Sequence, residues 1–324
     1  MKIAFITEMG FEGKIPSTHT NMRTEFAWMN ALNADHFCIH NISNVRGYNH
    51  VFIIFPKGTL NLNIVGAKVA NNPNPNSSLL ASNLVQVLKA ANEKIHYIQE
   101  GPSWLFNEYE IVDQFNFYNL LAQVDSIYAH NEFDTKFYKG LFPGKEVKVI
   151  PTLLIEELLK DITPVPEEKV LIGGNFARWY GGFQSYLVAD ALEVPKWTQN
   201  SHAQREHEDQ IHDLNHLPRL VWIDWMKALA TFKYGIHLMP TIAAGTFSLN
   251  CAYFGIPVIG NEKVDTQRVC HPDLSVDVDD VEKARQLAVR LKEDSDFYLH
   301  CSTTAKEQYA KHYNLSEWIS RIGL

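Results

Sequence analysis

Short apolar runs alternate along the whole chain with longer segments of helical spacing, the pattern of parallel α/β units. In the first half, Lys2–Thr7, His36–Asn41, Val51–Phe55, Ile95–Gln99, Ser126–Ala129 and Val147–Ile150 are predicted strands. Met22–Leu32, Ser78–Ala91 and Glu110–Gln123 are predicted helices. The second of these follows Asn71-Asn72-Pro73-Asn74-Pro75-Asn76, which excludes regular structure, and Ser77 or Ser78 would cap its start. Around Thr152–Lys169 the composition turns to Glu, Pro and Lys, the mark of a linker. Alternation then resumes with strands predicted at Val170–Gly173, Leu220–Ile223, Ile236–Met239 and Pro257–Ile259, and with a helix capped by Asp224. Val281, Ala284, Leu287, Ala288 and Leu291 share one face of a later helix, and Phe297 to Ile322 forms the last helical region. The expected organisation is a doubly wound domain at 1–152, a linker at 153–169, a second doubly wound domain at 170–310 and a terminal helix at 311–324.

The 324 residues, 46% of them apolar, suffice for two cores, and no stretch approaches the length of a membrane span. Met1 to Ile6 runs straight into a strand without a signal-peptide pattern, and four cysteines suit reduced thiols. A cytoplasmic protein is expected. The formal charge of −8 argues against a broad phosphate-backbone footprint, so no stable nucleic-acid complex is expected, while a local basic groove and a peripheral membrane contact stay open.

The stretch Gly235 to Gly260 carries the most chemistry. An apolar strand ends at Pro240, Ala244-Gly245-Thr246 opens a helix, Gly255 closes it, and Ile256–Ile259 is again strand-like. A helix start at the carboxyl edge of a parallel sheet offers unpaired amides and the positive end of a dipole, which together favour phosphate. Gly245, Thr246, Phe247 and Ser248 are therefore candidate diphosphate ligands, against the plainer reading of an ordinary N-capped helix.

With Val124-Asp125-Ser126-Ile127-Tyr128-Ala129-His130-Asn131, Val147–Pro151 and the loop Gly173-Gly174-Asn175-Phe176-Ala177-Arg178-Trp179-Tyr180-Gly181-Gly182-Phe183, this stretch resembles the GT-B glycosyltransferases. The likeness is nearest to their retaining, nucleotide-sugar-dependent group (family-4-like). It implies two Rossmann-like domains whose parallel sheets face across a cleft, the first on the acceptor side and the second binding the donor, with a terminal helix crossing back to the first. It implies no cofactor beyond a nucleotide diphosphate-sugar co-substrate, UDP-linked as a rule, and a hydroxyl acceptor, most often a glycan. Thr7 to Lys14 falls where the family has a Gly-rich loop under the diphosphate, which makes Gly13 a donor candidate. The same segment distantly resembles phage enzymes that glucosylate modified DNA bases. The chain departs from the family's pair of acidic residues, since Ile242 and Asn250 stand there, and from its phosphate-loop Arg and Lys, where only Arg178 remains and Gly181 falls near the Lys.

The resemblance makes Asn175, Arg178 and Asn250 donor-binding candidates, with Asn250 toward the ribose. Arg178 could neutralise the leaving diphosphate or simply stack on Trp179 or Tyr180. Glu100, at the end of a strand and before Gly101-Pro102-Ser103-Trp104, is a candidate catalytic carboxylate or a turn residue. His19, in the first strand-to-helix loop, is a candidate base or a loop-lining residue. No metal is expected: Asp279 and Asp280 precede a helix and suit an N-cap, and His36-Phe37-Cys38-Ile39-His40 suits a buried strand. Hexosyl transfer, retaining and metal-independent, is the expected activity. An inactive binding relative, a sugar-nucleotide epimerase or hydrolase, and a DNA-base glucosyltransferase are the alternatives.

Overall fold

A computed structural model describes all residues except 8–10, 55–83, 175, 177–178 and 200–207, and omits the side chains of His40 and Asp209. The chain forms two compact units. One holds residues 1–19, 25–150 and 321–324, the other 20–24 and 151–320.

The first unit is built on a seven-stranded sheet. Its strands are β1 (Ile3–Thr7), β2 (Gly13–Lys14), β3 (Asp35–Cys38), β4 (His50–Ile54), β5 (Lys94–Ile98), β6 (Ser126–Ala129) and β7 (Glu146–Val149). The order is β2-β3-β1-β4-β5-β6-β7, with every neighbouring pair parallel except β2 with β3. Helices α1 (Glu25–Ala31), α2 (Ile111–Gln123) and α3 (Glu132–Leu141) cover the sheet, together with a helical segment at 84–89. Because side chains alternate along a strand, Val51 and Ile53 face a core with Ile95, Tyr97, Phe117, Leu120 and Leu121. On the opposite face Phe5 stacks on Phe52, and His96 lies between Phe52 and Tyr128. His96 also bonds His50 and Ser126, and burial holds its pKa down at about 3.

The second unit has six parallel strands: β8 (Glu167–Ile172), β9 (Lys196–Gln199), β10 (Leu214–Leu217), β11 (Phe232–His237), β12 (Val258–Asn261) and β13 (Ser275–Val276). Their order is β10-β9-β8-β11-β12-β13. Its helices are α4 (Gly182–Asp190), α5 (Trp222–Leu229), α6 (Thr246–Phe254), α7 (Asp265–Cys270), α8 (Val281–Glu293), α9 (Ser295–His312) and all but the last two residues of α10 (Leu315–Ile322). Asp280 caps α8 through Lys283 N–H at 3.1 Å, as its position before an amphipathic helix predicts. Segment 153–169 is not bare linker, since Leu153, Leu154 and Leu159 are buried and Tyr309 bonds Glu156. Trp318 on α10 is buried and its indole donates to Pro151 O at 2.9 Å.

The predicted strand at Leu220–Ile223 does not form. Trp222, Met226 and Leu229, spaced one helical turn apart, are buried as one face of α5, so helical burial prevails over a four-residue apolar run. His216 lies on β10. Among the described residues no helix is long and apolar enough to cross a membrane.

Candidate functional site

In a doubly wound sheet, ligands gather beyond the carboxyl ends of the strands where the strand order reverses. In the second unit that point lies between β8 and β11. The helix after each of these strands starts the same way: Gly181 precedes α4 at φ 66°, ψ 30°, and Gly245 precedes α6 at φ 71°, ψ 29°. Both backbones are left-handed, and only glycine fits them. A Cβ on Gly181 would stand 1.9 Å from Leu238 O, and one on Gly245 1.9 Å from Thr266 Oγ1. Among the described residues neither helix has a side-chain cap. The first-turn amides of two helices are thus left without the usual Ser, Thr or Asp oxygen, each start carrying roughly half a positive charge.

Around these starts the side chains are arranged to let the backbone approach closely. Phe247, buried in α6, meets His237 edge-on at 5.2 Å and would collide with any Cβ on Gly173, at 2.7 Å. His237 ends β11; burial pushes its pKa down to about 4, and Nε2 has no hydrogen-bond partner among the described residues. Ser248 donates its hydroxyl to Gln267 Oε1 at 2.8 Å, and its carbonyl accepts from His271 at 3.0 Å. Only the amide of Ser248 remains to meet a ligand. The hydroxyl of Thr246 lies 3.4 Å from that of Thr152 and is the one half-exposed alcohol of this turn. Asn250 is 2% exposed, yet its Oδ1 has no partner among the described residues. Such a buried, unsatisfied acceptor costs about 1–3 kcal/mol and is relieved by a ligand hydroxyl. Asn175 and Arg178 lie outside the described residues.

The carboxyl edge of the first unit is built from side chains instead. Glu100 follows β5 and is half-buried, with Gly101 in a left-handed conformation after it. A buried network fixes this turn. Gln99 Nε2 donates to Gly101 O and to Asp134 Oδ2, both at 2.6 Å, while Asn131 Nδ2 donates to Asp134 Oδ2 at 3.0 Å. Ser103 N–H reaches Asp134 Oδ1 at 3.4 Å, and His130 N–H reaches Gln99 Oε1 at 3.2 Å. His19 packs between Phe11 at 5.3 Å and Phe26 at 5.0 Å, and both phenyl rings also touch His36. His36 is fully buried, bonds Thr7 Oγ1 at 2.7 Å and is held down at about 4 by burial, against the pull of Glu12. Gly13 pairs with His36 in the short strand β2, so its backbone is part of the sheet edge.

The structure therefore groups Gly245, Thr246, Phe247, Ser248 and Asn250 in one unit and Glu100, His19 and Gly13 in the other. Three features went unrecognised in the sequence: Gly181 as a helix start, His237 with its Nε2 unpartnered among the described residues beside the Gly173–Gly174 turn, and the Gln99–Asn131–Asp134 network. The pair Gly181-Gly182 before a helical pattern was a visible signal for the first. Contacts spanning 35 residues left none for the last.

No protein-family model matches the chain, and no curated protein matches it in sequence. Solved structures do match. An α-glucosyltransferase in complex with UDP-glucose and DNA containing an abasic site aligns with a TM-score of 0.67 at 11% identity, covering 99% of this chain and 98% of that one. Sucrose-phosphate synthase from Thermosynechococcus elongatus aligns at 0.64 and 13% identity, over 99% and 97%. HepE of Anabaena in complex with UDP-glucose aligns at 0.61 and 12% identity, over 99% and 98%. These neighbours are GT-B glycosyltransferases, and the chain has the GT-B fold.

Proposed function

We propose that this chain transfers a sugar from a nucleoside diphosphate-sugar, UDP-linked, to an acceptor hydroxyl. The observation that carries the reading is the pair of uncapped helix starts at Gly181 and Gly245, on either side of the point where the second sheet reverses its order. Two such ends meet the charge of a diphosphate with main-chain groups and stabilise it further as the glycosidic bond breaks. Thr246, the amides of residues 246–248 and, from the family resemblance, Arg178 and Asn175 would hold the diphosphate. Asn250 Oδ1 would accept from a ribose hydroxyl. Glu100 would stabilise the oxocarbenium-like centre or take the acceptor proton, with His19 beside the acceptor. Retention of configuration follows from the resemblance to the retaining group. Metal independence follows from the helix ends supplying the positive charge.

Thermal unfolding with a panel of nucleoside diphosphates and nucleotide sugars tests the donor site. A ligand at 100 times its dissociation constant adds about 2.7 kcal/mol of stability. UDP and a UDP-sugar should raise the melting temperature, less so in Arg178→Ala. Failure of every nucleotide to stabilise the protein would sink the reading. Release of UDP only when an acceptor is present marks a transferase. Turnover without acceptor marks an epimerase or hydrolase, and binding without turnover an inactive relative.

A hydroxylated base in DNA is the second acceptor reading. It is supported by full-length likeness to α-glucosyltransferases solved with DNA and by the Phe11–His19–Phe26 ring cluster, which offers stacking faces for a planar base. Glucosylation of hydroxymethylated oligonucleotides but of no saccharide in parallel assays would establish it over a glycan acceptor.

A further inference from the structure

Helix α2 is apolar on two opposite faces. Phe117, Leu120 and Leu121 are buried in the core of the first unit. On the outer face Ile111 is 62%, Val112 65% and Phe115 62% exposed, and Tyr118 and Ala122 continue the stripe at helical spacing. Surface helices normally carry polar residues there, and a contiguous exposed apolar patch marks an interaction surface. The ends of the stripe differ in charge. Glu108, Glu110 and Asp113 surround the start of the helix. At its far end Lys145 donates to the carbonyls of Ala122 and Val124. There Tyr118 stacks on Phe142, at the end of α3, whose last turn exposes Lys139.

We infer that this face is an isologous interface between two copies of the chain, with α2 lying antiparallel to its counterpart across a two-fold axis near Phe115. An apolar strip with an acidic end and a basic end is self-complementary under that symmetry: Glu110 and Asp113 of one copy meet Lys139 and Lys145 of the other. The charge pattern selects this occupant over a membrane, because an anionic lipid surface would repel the three acidic residues that flank the most exposed apolar side chains. The inference concerns the first unit alone and does not rest on the sugar-transfer reading.

Sedimentation equilibrium of the full chain over the micromolar range tests it. The wild type should show twice the mass of one chain, and Phe115→Glu should halve that mass while leaving circular dichroism and the melting profile at low concentration intact. Glu110→Lys or Lys139→Glu alone should weaken association at least tenfold, and the two together should restore it. A wild-type mass of one chain throughout, or a Phe115→Glu protein that stays dimeric, overturns the inference. So does a monomer that co-sediments with phosphatidylserine vesicles through Phe115. If Phe115→Glu does not fold, the Glu110→Lys and Lys139→Glu pair decides the matter alone.

Discussion

The two sheets present their carboxyl edges with different materials. In the second unit the edge is main chain: left-handed glycines at 181 and 245, helix starts without caps, and side chains such as Ser248 and Phe247 turned to bracing the turn. In the first unit it is side chain: a carboxylate at Glu100, rings at Phe11, His19 and Phe26, and a buried amide–carboxylate network at Gln99, Asn131 and Asp134. Main-chain amides suit a ligand whose charged part does not vary, such as a diphosphate. Side chains suit a ligand whose shape must be chosen. A donor edge and an acceptor edge would differ in this way.

The largest expected perturbation strikes both units. His36 and His96 in the first unit, and His237 and His271 in the second, are held neutral by burial at about 4, 3, 4 and 4. Their folded pKa values lie below the unfolded value near 6.5, so the unfolded chain binds more protons and stability falls as pH drops from about 6.5 toward 4. Lowering the pH from 7 to 5 should cost about 2 kcal/mol per ring, measured as a falling urea midpoint. His96→Gln and His271→Asn should each flatten the dependence. A flat profile in the wild type would mean that these rings protonate freely in the folded state.

Next in size, Gly245→Ala forces a Cβ against Thr266 and strains the left-handed backbone, costing about 3 kcal/mol. Nucleotide stabilisation should vanish with it, because the helix start has to shift. An unchanged melt and unchanged nucleotide binding would remove the main-chain half of the comparison. On the other edge, Gln99→Leu strips two partners from Asp134 and the Glu100 turn, with an expected loss of about 2 kcal/mol. Turnover should fall while UDP affinity stays as in the wild type. Loss of UDP affinity instead would place Glu100 on the donor rather than the acceptor. The smallest effect belongs to Asn250→Ala, which removes the unpartnered oxygen and should weaken UDP by about 1 kcal/mol, close to fivefold by calorimetry. Binding that does not change would separate Asn250 from the ribose.

The alternation of periods announced two doubly wound sheets, and most strand centres fall where the apolar runs lie, because a strand buried on both faces is recognisable from its own residues. Leu220–Ile223 failed because four apolar residues satisfy a helix as well as a strand, and burial of Trp222 with Met226 decided between them. Strands β9 and β10 escaped notice because Lys196, Gln199, Asn215 and His216 break the apolar pattern. Of the candidate site, the Gly245 turn was legible from the glycine between strand and helix. The fate of the Ser248 hydroxyl was not, since its partner Gln267 comes from a later helix.

Local chemistry thus determined the α/β class, the succession of two sheets and the turn at Gly245, because periodicity and glycine's access to positive φ act over a few neighbouring residues. Only the tertiary structure decided that Gly181 and Gly245 open equivalent helices beside the same two strands, that Asn250 keeps a buried oxygen without a partner among the described residues, and that Asp134 ties down the turn after Glu100. Those outcomes depend on which distant segments arrive within hydrogen-bond reach, and a linear pattern carries no record of that.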